Sequence, residues 1–406
     1  MSSTRSPDGD PLCRVDNSCR AISFLQLILA GMLIVPFLVG CVAPKPIRDF
    51  SETARNHPNE AVVIKDVPPF FAAEPHADFA PLAAVLQYWK QSVSAGDVEQ
   101  WYAKHSVGLA SEDRPLRCAW EHGLWAFGQH GSPDALKTRL RAGVPVIVIL
   151  QINPLDQATR QFAVVIGYDD LEKQVLYHTG GRQPVVTAYA DFFSAWQSTF
   201  NWMLTICPPD RIAWTPAAAE VASRGQFNEA NDRIEQAITD YEAAIASGLR
   251  RSSLLVRLGN CYRSHENPEK AEAAYREALS LDAHNGRAYN NLAYLLAEHS
   301  KSLDEAVALA RNAMLLEPTN PLAIDTLGFA LFQQGKYKEA SDVLDRARAC
   351  ARWSPPGTQT EIGLHLAWAH VKAGNPHLAK EVLADVLKID PKTPLPTDLR
   401  ELIDAE

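Results

Sequence analysis

The chain has 406 residues, an apolar fraction of 47% and a formal net charge of −9. A chain of this length is expected to form two or three domains of roughly 150 residues each, and its apolar content is that of a globular protein. No dense basic cluster interrupts the spread of charge, so nucleic acid is excluded as the expected partner.

The N-terminus carries a predicted export signal. Basic residues, Arg20 the last of them, precede an apolar run over residues 21–39, the order of a charged n-region and an apolar h-region. The run ends in the four residues from Leu38 to Cys41, which resemble the lipobox of bacterial lipoproteins. The resemblance implies that residues 1–40 are a signal peptide and that several acyl chains on Cys41 anchor the protein, where one chain would bind only marginally.

A single transmembrane helix is the alternative for the same run, which is about long enough to span a bilayer. The cysteine at its edge and the following Pro44 and Pro46 favour the lipoprotein. Val42, rather than aspartate, follows the cysteine, which resembles the sorting of outer-membrane lipoproteins that face the periplasm. Residues 41–60 are then expected to be a polar tether.

The next part of the chain, residues 61–209, alternates short apolar runs with amphipathic helical patterns, which predicts an α+β domain. The apolar runs are typical of buried strands, and residues 169–173 form a polar hairpin turn between two of them. The predicted helices are residues 81–90 and 134–142, and the predicted extended segments are residues 61–64, 67–71, 145–150, 161–168, 174–177 and 202–207.

This order resembles the bacteriocin-processing peptidases of double-glycine leaders, a papain-like cysteine peptidase family. Val67 to Phe71 resembles the opening strand of the family, and Leu82 to Leu86 resembles the helix that follows its nucleophile. Residues 142–148 resemble its central strand, and residues 162–168 resemble the strand that starts with its catalytic histidine. The resemblance covers residues 61–209 and implies a papain-like fold for them.

The catalytic positions of that family hold other residue types in this chain. A papain-type site needs a cysteine thiolate, an imidazole that takes its proton and a group that orients the ring. The corresponding positions are Ala77 or Asp78, depending on the register, then Gln161 and His178. Glutamine does not shuttle a proton near neutral pH, so we expect a domain without catalytic residues, with Ala77, Asp78, Gln161 and His178 at a vestigial cleft.

Several functions are open for this cleft. It would hold an extended peptide by adding a strand, or be a relic in which these side chains and His76 only bind water. The enzymatic alternative is a cysteine-peptidase-family enzyme with a rearranged active site, for which Cys118 is the candidate in the first half of the domain. A metal site from His76, Asp78 and His178 has nothing to fix its geometry, so neither a metal nor another cofactor is expected.

The C-terminal part is internally repetitive. Pairs of leucine and a small residue recur at steps of 34, 35 and 39 residues, and an alanine follows each pair at the spacing of a second helix. This pattern resembles tetratricopeptide repeats, which implies an all-α solenoid over residues 251–395 that holds another protein. The pairs begin at Leu258, Leu292, Leu327 and Leu366, and the alanines are Ala271, Ala306, Ala340 and Ala379.

The flanks of the repeats are less regular. Residues 209–215 are the predicted domain boundary, and residues 210–250 are predicted to be a linker with possible capping helices, because apolar residues recur at helical spacing after Asn228. Residues 352–357 insert into the last long step, and residues 396–406 are predicted to be a tail.

The first helix of each repeat is expected to face a concave groove. Arg263 and Arg287, with neighbouring asparagines, would hold a peptide carboxylate. The aromatic residues would take apolar side chains, or else pack against the next repeat. The predicted groove residues are Asn260, Arg263, Arg287, Asn290, Tyr294, Asp325, Phe329, Phe332 and Trp368.

These features predict a non-catalytic, lipid-anchored scaffold of the bacterial cell envelope that binds a protein or peptide client. An envelope assembly or export pathway is the expected setting. The alternatives are the rearranged enzyme acting on peptides in the periplasm and a purely structural envelope component with no ligand in either groove.

Overall fold

The computed structural model describes residues 47–70, 79–105, 113–151 and 160–404. The predicted signal peptide, Cys41, His76, Ala77 and Asp78 lie outside the described residues. Within the described ranges, none of the helices combines the length and the apolar content that crossing a bilayer requires.

The first half of the chain forms a seven-stranded antiparallel sheet with helices around it. The strand order is β2-β7-β3-β4-β5-β6, and β1 pairs with the last residues of β4. This is an α+β domain, as predicted. The strands are β1 (Ala61–Val63), β2 (Trp125–His130), β3 (Val146–Gln151), β4 (Arg160–Asp169), β5 (Gln174–His178), β6 (Val185–Ala188) and β7 (Trp202–Cys207).

Helices of this domain begin where local polar groups satisfy their free amides. Ser94 and Asp97 form a capping box, and the hydroxyl of Ser132 accepts a hydrogen bond from the amide of Ala135 at 3.1 Å. The helices are α1 (Ile47–Asn56), α2 (Ala80–Tyr88), α3 (Ala95–Lys104), α4 (Arg114–Glu121), α5 (Pro133–Arg141) and α6 (Tyr189–Gln197).

The α2 helix is the centre of the domain. Every residue from Ala80 to Leu86 is buried, and Val85 and Leu86 have no exposed surface. Burying each of these two side chains stabilises the fold by about 1.5–3 kcal/mol. Trp89 anchors the end of the helix, because its indole N–H donates to the carbonyl of Ile206 at 2.8 Å.

Two sequence predictions at the start of the domain are wrong. Residues 47–56, predicted to be part of a tether, form α1, whose Phe50 is 4% exposed and joins the core of the α+β domain. Residues 67–70, predicted to be a strand, pair with no strand among the described residues, although Val67 and Phe70 are buried.

The second half consists of helical hairpins with a core of their own. Neighbouring hairpins pack side by side, so that the first helices of successive hairpins form one row. The helices are α7 (Ala218–Ala230), α8 (Ile234–Ala246), α9 (Ser252–Ser264), α10 (Pro268–Leu281), α11 (Gly286–Glu298), α12 (Leu303–Leu316), α13 (Pro321–Gln333), α14 (Tyr337–Cys350), α15 (Pro356–Lys372), α16 (Pro376–Ile389) and α17 (Thr397–Asp404).

In several hairpins, a glycine of the first helix lies against a large side chain of the second. A Cβ on Gly259 would lie 2.5 Å from the ring of Tyr275, so only glycine lets α9 and α10 approach this closely. Gly225 and Tyr241 make the same contact between α7 and α8, at 2.6 Å. The segment predicted to be a linker with capping helices therefore contains a complete hairpin. The repeat search missed it because Arg224, not leucine, precedes Gly225.

The α7 helix joins the two halves of the molecule. Its Glu220 is 2% exposed and forms a buried ion pair with Arg139 of α5, whose guanidinium lies 4.4 Å from the Trp214 ring centroid. Phe227, further along α7, belongs to the core of the α+β domain. At the other end, the predicted tail forms α17, which docks through the fully buried Leu399.

Candidate functional site

The first helices of four hairpins, α9, α11, α13 and α15, line a cleft of about 230 Å³. The cleft is mostly polar and contains both charged and amide side chains. Its position on one row of helices makes it part of the continuous surface that such solenoids use for binding. The lining residues are Arg263, Asn290, Asn291, Tyr294, Leu322, Asp325, Thr326 and Glu361.

A chain of amide hydrogen bonds forms one wall of the cleft. The Nδ2 of Asn290 donates to Oδ1 of Asn291 at 3.2 Å, and the Nδ2 of Asn291 donates to Oδ1 of Asn260 at 2.7 Å. The Tyr275 hydroxyl donates to the same Asn260 oxygen at 2.7 Å. This chain fixes the Asn290 amide and leaves its buried Oδ1 without a partner among the described residues.

Stacked rings run along the row of helices. The guanidinium of Arg263 lies 5.2 Å from the Tyr294 ring centroid, and the rings of Tyr294 and Phe329 stack with centroids 5.2 Å apart. Phe329 stacks on His365 at 4.9 Å, and His365 stacks on Trp368 at 6.3 Å. We call Arg263, Tyr294, Phe329, His365 and Trp368 the ladder. Rings from three successive hairpins therefore contact one another along the row of helices.

Asp325 holds His365, the ladder ring between Phe329 and Trp368. Both of its carboxylate oxygens lie 3.0 Å from Nδ1 of His365, and the two side chains are 4% and 9% exposed. Burial acts to lower the pKa of His365, but the charge and hydrogen bond of Asp325 outweigh it and raise the pKa above the ordinary value. The imidazole is therefore held in one orientation and favours its charged form.

The structure brings most of the predicted groove residues together. Arg263, Asn290, Tyr294 and Asp325 line the cleft, Asn260 lies in the amide chain behind it, and Phe329 and Trp368 are in the ladder. Trp368 is also tied down, because its indole N–H donates to Asp398 at 3.0 Å.

Two predicted residues lie elsewhere. Phe332 packs edge-on against Tyr337 of its own hairpin, with centroids 5.3 Å apart, and does not line the cleft. The predicted alternative, packing against the next repeat, describes Phe329, whose ring stacks on His365. Arg287 is exposed and is not among the residues that line the cleft. Arg263, by contrast, lines the cleft and lies over the Tyr294 ring.

Sequence reasoning missed Leu322 and four polar residues of the cleft and the ladder. Asn291, Thr326 and His365 each directly precede the leucine of a repeat pair, so they occupy one equivalent position in three successive hairpins. The prediction used the position one residue earlier, at Asn290 and Asp325. Widening the helical face by one residue would have found all three. The fourth, Glu361, lies one helical turn before His365.

The predicted vestigial cleft of the α+β domain is not assembled by its two described residues. His178 of β5 pairs with Val164 of β4, and paired residues share a sheet face, so Gln161, three residues from Val164, lies on the opposite face. Gln161 donates to the carbonyl of Thr179 at 3.4 Å, whereas His178 is 6% exposed and lies 6.4 Å from the ring of Phe70. Burial lowers the pKa of His178.

The alternative nucleophile, Cys118, is sealed inside the domain. It has no exposed surface, and burial raises the pKa of its thiol to about 12, with a further contribution from Glu121. The Nδ1 of His122 lies 2.7 Å from the carbonyl oxygen of Cys118. A thiol with this pKa is not ionised near neutral pH. Among the described residues, no three potential metal ligands lie together.

Comparison with known proteins covers the helical half of the chain. Models of the tetratricopeptide repeat match residues 228–285, 256–314, 297–356 and 362–393. The first match includes α8, in the segment that was predicted to be a linker with capping helices. None of the curated proteins matches this chain.

Solved structures match the same part. A protein of Thermus thermophilus, TTC0263, described as a thermophilic TPR protein, is 19% identical over 46% of this chain and 97% of its own, with a TM-score of 0.38. PilW, described as a widely conserved type IV pilus biogenesis factor, is 19% identical over 46% of this chain and 82% of its own, with a TM-score of 0.41.

A third match is a chain of the APC/C hetero-tetramer Cut9-Hcn1, which is 18% identical over 46% of this chain, with a TM-score of 0.40. The match spans only 35% of that chain's length. The family matches and the repeated glycine contacts agree, and the C-terminal region is an all-helical solenoid of tetratricopeptide repeats.

Proposed function

We propose that this protein is a membrane-anchored, non-catalytic scaffold of the bacterial cell envelope, which holds an extended segment of a client protein in the groove of its repeats. The observation that carries the proposal is the cleft between α11 and α13, with its fixed amide groups and its ladder of rings. Tetratricopeptide repeats are generally protein-binding scaffolds, which supports the same class of function.

The side chains of the groove suit an extended peptide. The cleft presents the amides of Asn290 and Asn291, which offer the hydrogen bonds that an unpaired peptide backbone needs. Phe329 and Trp368 offer flat apolar surfaces beside it. Because hydrogen bonds and stacking already hold these groups, binding would order few protein side chains and would lose little entropy.

The α+β domain has a second role in this proposal, as a papain-like pseudoenzyme. Its support is the residue types at the catalytic positions, together with the separation of Gln161 from His178 and the burial of Cys118. The buried Arg139–Glu220 pair ties this domain to the first hairpin, so the groove is presented in a fixed orientation relative to it.

The membrane attachment is supported by the lipobox-like sequence that ends at Cys41. Replacing Cys41→Ser is expected to abolish incorporation of radioactive palmitate and removal of the first 40 residues. A Cys118→Ser variant is the control and should be labelled like the wild type. A Cys41→Ser chain that is still acylated would contradict the lipid anchor, and an unacylated wild-type chain would favour the single transmembrane helix.

Site-specific crosslinking in cells tests the groove. A photoreactive amino acid placed at Leu322, which lines the cleft and is 44% exposed, should form a covalent adduct with the client. The same probe at Leu315, which is 78% exposed on α12, is the control and should form none. The Leu322 adduct should vanish when Asn290→Ala and Phe329→Ala are added. Equal crosslinking at both positions would contradict a specific groove.

A further inference from the structure

Some charged side chains around the cleft lie beside a side chain of opposite charge, and one does not. Asp325 is neutralised by His365 at 3.0 Å, and Arg263 lies 3.8 Å from Glu298. Glu361 also lines the cleft, is exposed, and has no ion-pair partner among the described residues. The cleft therefore holds one carboxylate that forms no ion pair among the described residues, although its charge helps to raise the pKa of His365 one helical turn away.

The hydrogen-bonding groups point to the same ligand chemistry. The buried Oδ1 of Asn290 accepts no hydrogen bond from the described residues, because the amide chain uses only its Nδ2. A buried acceptor left unpaired costs roughly 1–3 kcal/mol, so a ligand that donates to it gains affinity. The Tyr294 hydroxyl also has no hydrogen-bond partner among the described residues and offers a second acceptor.

Three carboxylates and one guanidinium act on this hydroxyl. The pKa of Tyr294 is raised to about 12, chiefly by burial and then by the carboxylates of Glu298 and Glu361, with Asp325 adding to them and Arg263 opposing them. A negative potential and free acceptors disfavour a carboxylate and favour a cation with several N–H donors.

We infer that the cleft receives a basic side chain of the client segment, with Glu361 as its counter-ion and with Asn290 Oδ1 and the Tyr294 hydroxyl accepting its N–H groups. This inference rests on the proposed function, since it names the chemistry of the segment that the groove holds. Arginine fits best, because its five N–H donors can meet a carboxylate and two neutral acceptors together. The ladder beyond the cleft, at Phe329 and Trp368, would then contact apolar residues that follow the arginine.

The test compares two peptide pools that differ in one charge. Both contain N-acetylated, C-amidated, fluorescein-labelled octapeptides with randomised uncharged residues around a fixed centre. The centre is arginine in one pool and citrulline, its neutral analogue of nearly the same shape, in the other. Fluorescence anisotropy measures the apparent Kd of each pool for the full chain in detergent micelles.

We expect the arginine pool to bind roughly tenfold more tightly than the citrulline pool, as for one charge-assisted hydrogen-bonded contact. The Glu361→Gln variant should remove this preference by weakening only the arginine pool. Glu381→Gln, the same change at an exposed position of α16, should keep the preference. Because Glu361 and Glu381 are both exposed, both variants should retain the wild-type Tm.

The outcomes separate this inference from the proposed function. If both pools bind equally and Asn290→Ala weakens both, the groove binds peptides but the basic side chain is wrong. If the preference for arginine survives Glu361→Gln, the assigned counter-ion is wrong. If neither pool binds, the proposed peptide-binding function fails and the inference fails with it.

Discussion

The two halves of this molecule arrange their polar side chains in different ways. In the α+β domain, the positions that resemble a catalytic site are scattered, because Gln161 and His178 lie on opposite faces of the sheet and Cys118 is sealed. In the solenoid, side chains from four hairpins meet at one cleft. A catalytic site needs distant segments to converge, whereas a repeat groove needs only one helix position to recur.

The largest expected effect comes from the buried ion pair between Arg139 and Glu220, which connects the two halves. Glu220→Ala leaves the charge of Arg139 buried without a partner, so we expect it to lower the free energy of unfolding by about 3–5 kcal/mol. Urea denaturation followed by tryptophan fluorescence measures the loss. Glu277→Ala removes an exposed ion pair with Arg250 and should cost about 0–1 kcal/mol. Equal losses would mean that the Arg139–Glu220 pair is not a buried contact.

The hairpin contacts come next in size. Gly259→Ala places a methyl group 2.5 Å from the Tyr275 ring, and such overpacking is expected to cost about 1–3 kcal/mol. Gly357→Ala, at a position with no atom within 4 Å of the added carbon, is the matched control and should change stability by less than about 1 kcal/mol. Thermal unfolding of the two variants compares them. A wild-type Tm for Gly259→Ala would contradict the close helix contact.

The two halves should respond to pH with opposite signs. Because the pKa of His365 is raised, the folded solenoid binds a proton at this side chain more tightly than the unfolded chain does. The stability that this proton contributes is complete below the ordinary pKa of 6.5 and is lost as pH rises through the raised pKa. Because the pKa of His178 is lowered, the unfolded α+β domain binds a proton at this side chain more tightly than the folded domain does. That domain therefore loses stability as pH falls below 6.5 toward the lowered pKa.

Hydrogen exchange between about pH 5 and 8, corrected for the intrinsic exchange rate, resolves the two halves separately. Protection of α13 and α15 should decrease as pH rises, and protection of β4 and β5 should decrease as pH falls. Asp325→Asn should remove the first trend and leave the second. Parallel trends in the two halves would contradict the assignment of opposite pKa shifts.

The smallest expected effect concerns the reactivity of Cys118 in the α+β domain. Cys118 should not react with a thiol reagent in the native protein, because it is fully buried and the pKa of its thiol is about 12. Cys350, which is half-buried, should be modified first. Mass spectrometry of the peptides that contain each cysteine gives the order. Rapid modification of Cys118 in the folded chain would support the alternative hypothesis, an enzyme with a rearranged active site.

The repeats could be predicted closely from the sequence because each contact recurs. The leucine and small-residue pairs located α9, α11, α13 and α15, and counting along them found Asn290, Tyr294 and Phe329. The first hairpin was not predicted because Arg224 replaces the leucine of the repeat pair. His365 escaped because its role depends on Asp325 of the preceding hairpin, a contact that no single repeat shows.

The α+β domain could be predicted only in part. Helix α2 and five strands (β1, β3, β4, β5 and β7) follow the apolar pattern, whereas β2 and β6 were not predicted. The α6 helix was not predicted either, because it is rich in Phe192, Phe193 and Trp196, aromatic residues that favour strands. The separation of Gln161 and His178 depends on strand register, which pairs Val164 with His178 and is set by tertiary packing. A linear alignment identifies such positions without showing which sheet face each one occupies.

Client capture tests the central claim, that the repeat groove binds the client and the α+β domain does not. The acylated protein would be isolated from membranes with its bound client, beside an Asn290→Ala and Phe329→Ala double variant and an Asp78→Arg variant, and the client would be quantified by mass spectrometry. We predict that the groove variant loses the client and that Asp78→Arg keeps it. A client that is lost with Asp78→Arg and retained by the groove variant would contradict the account.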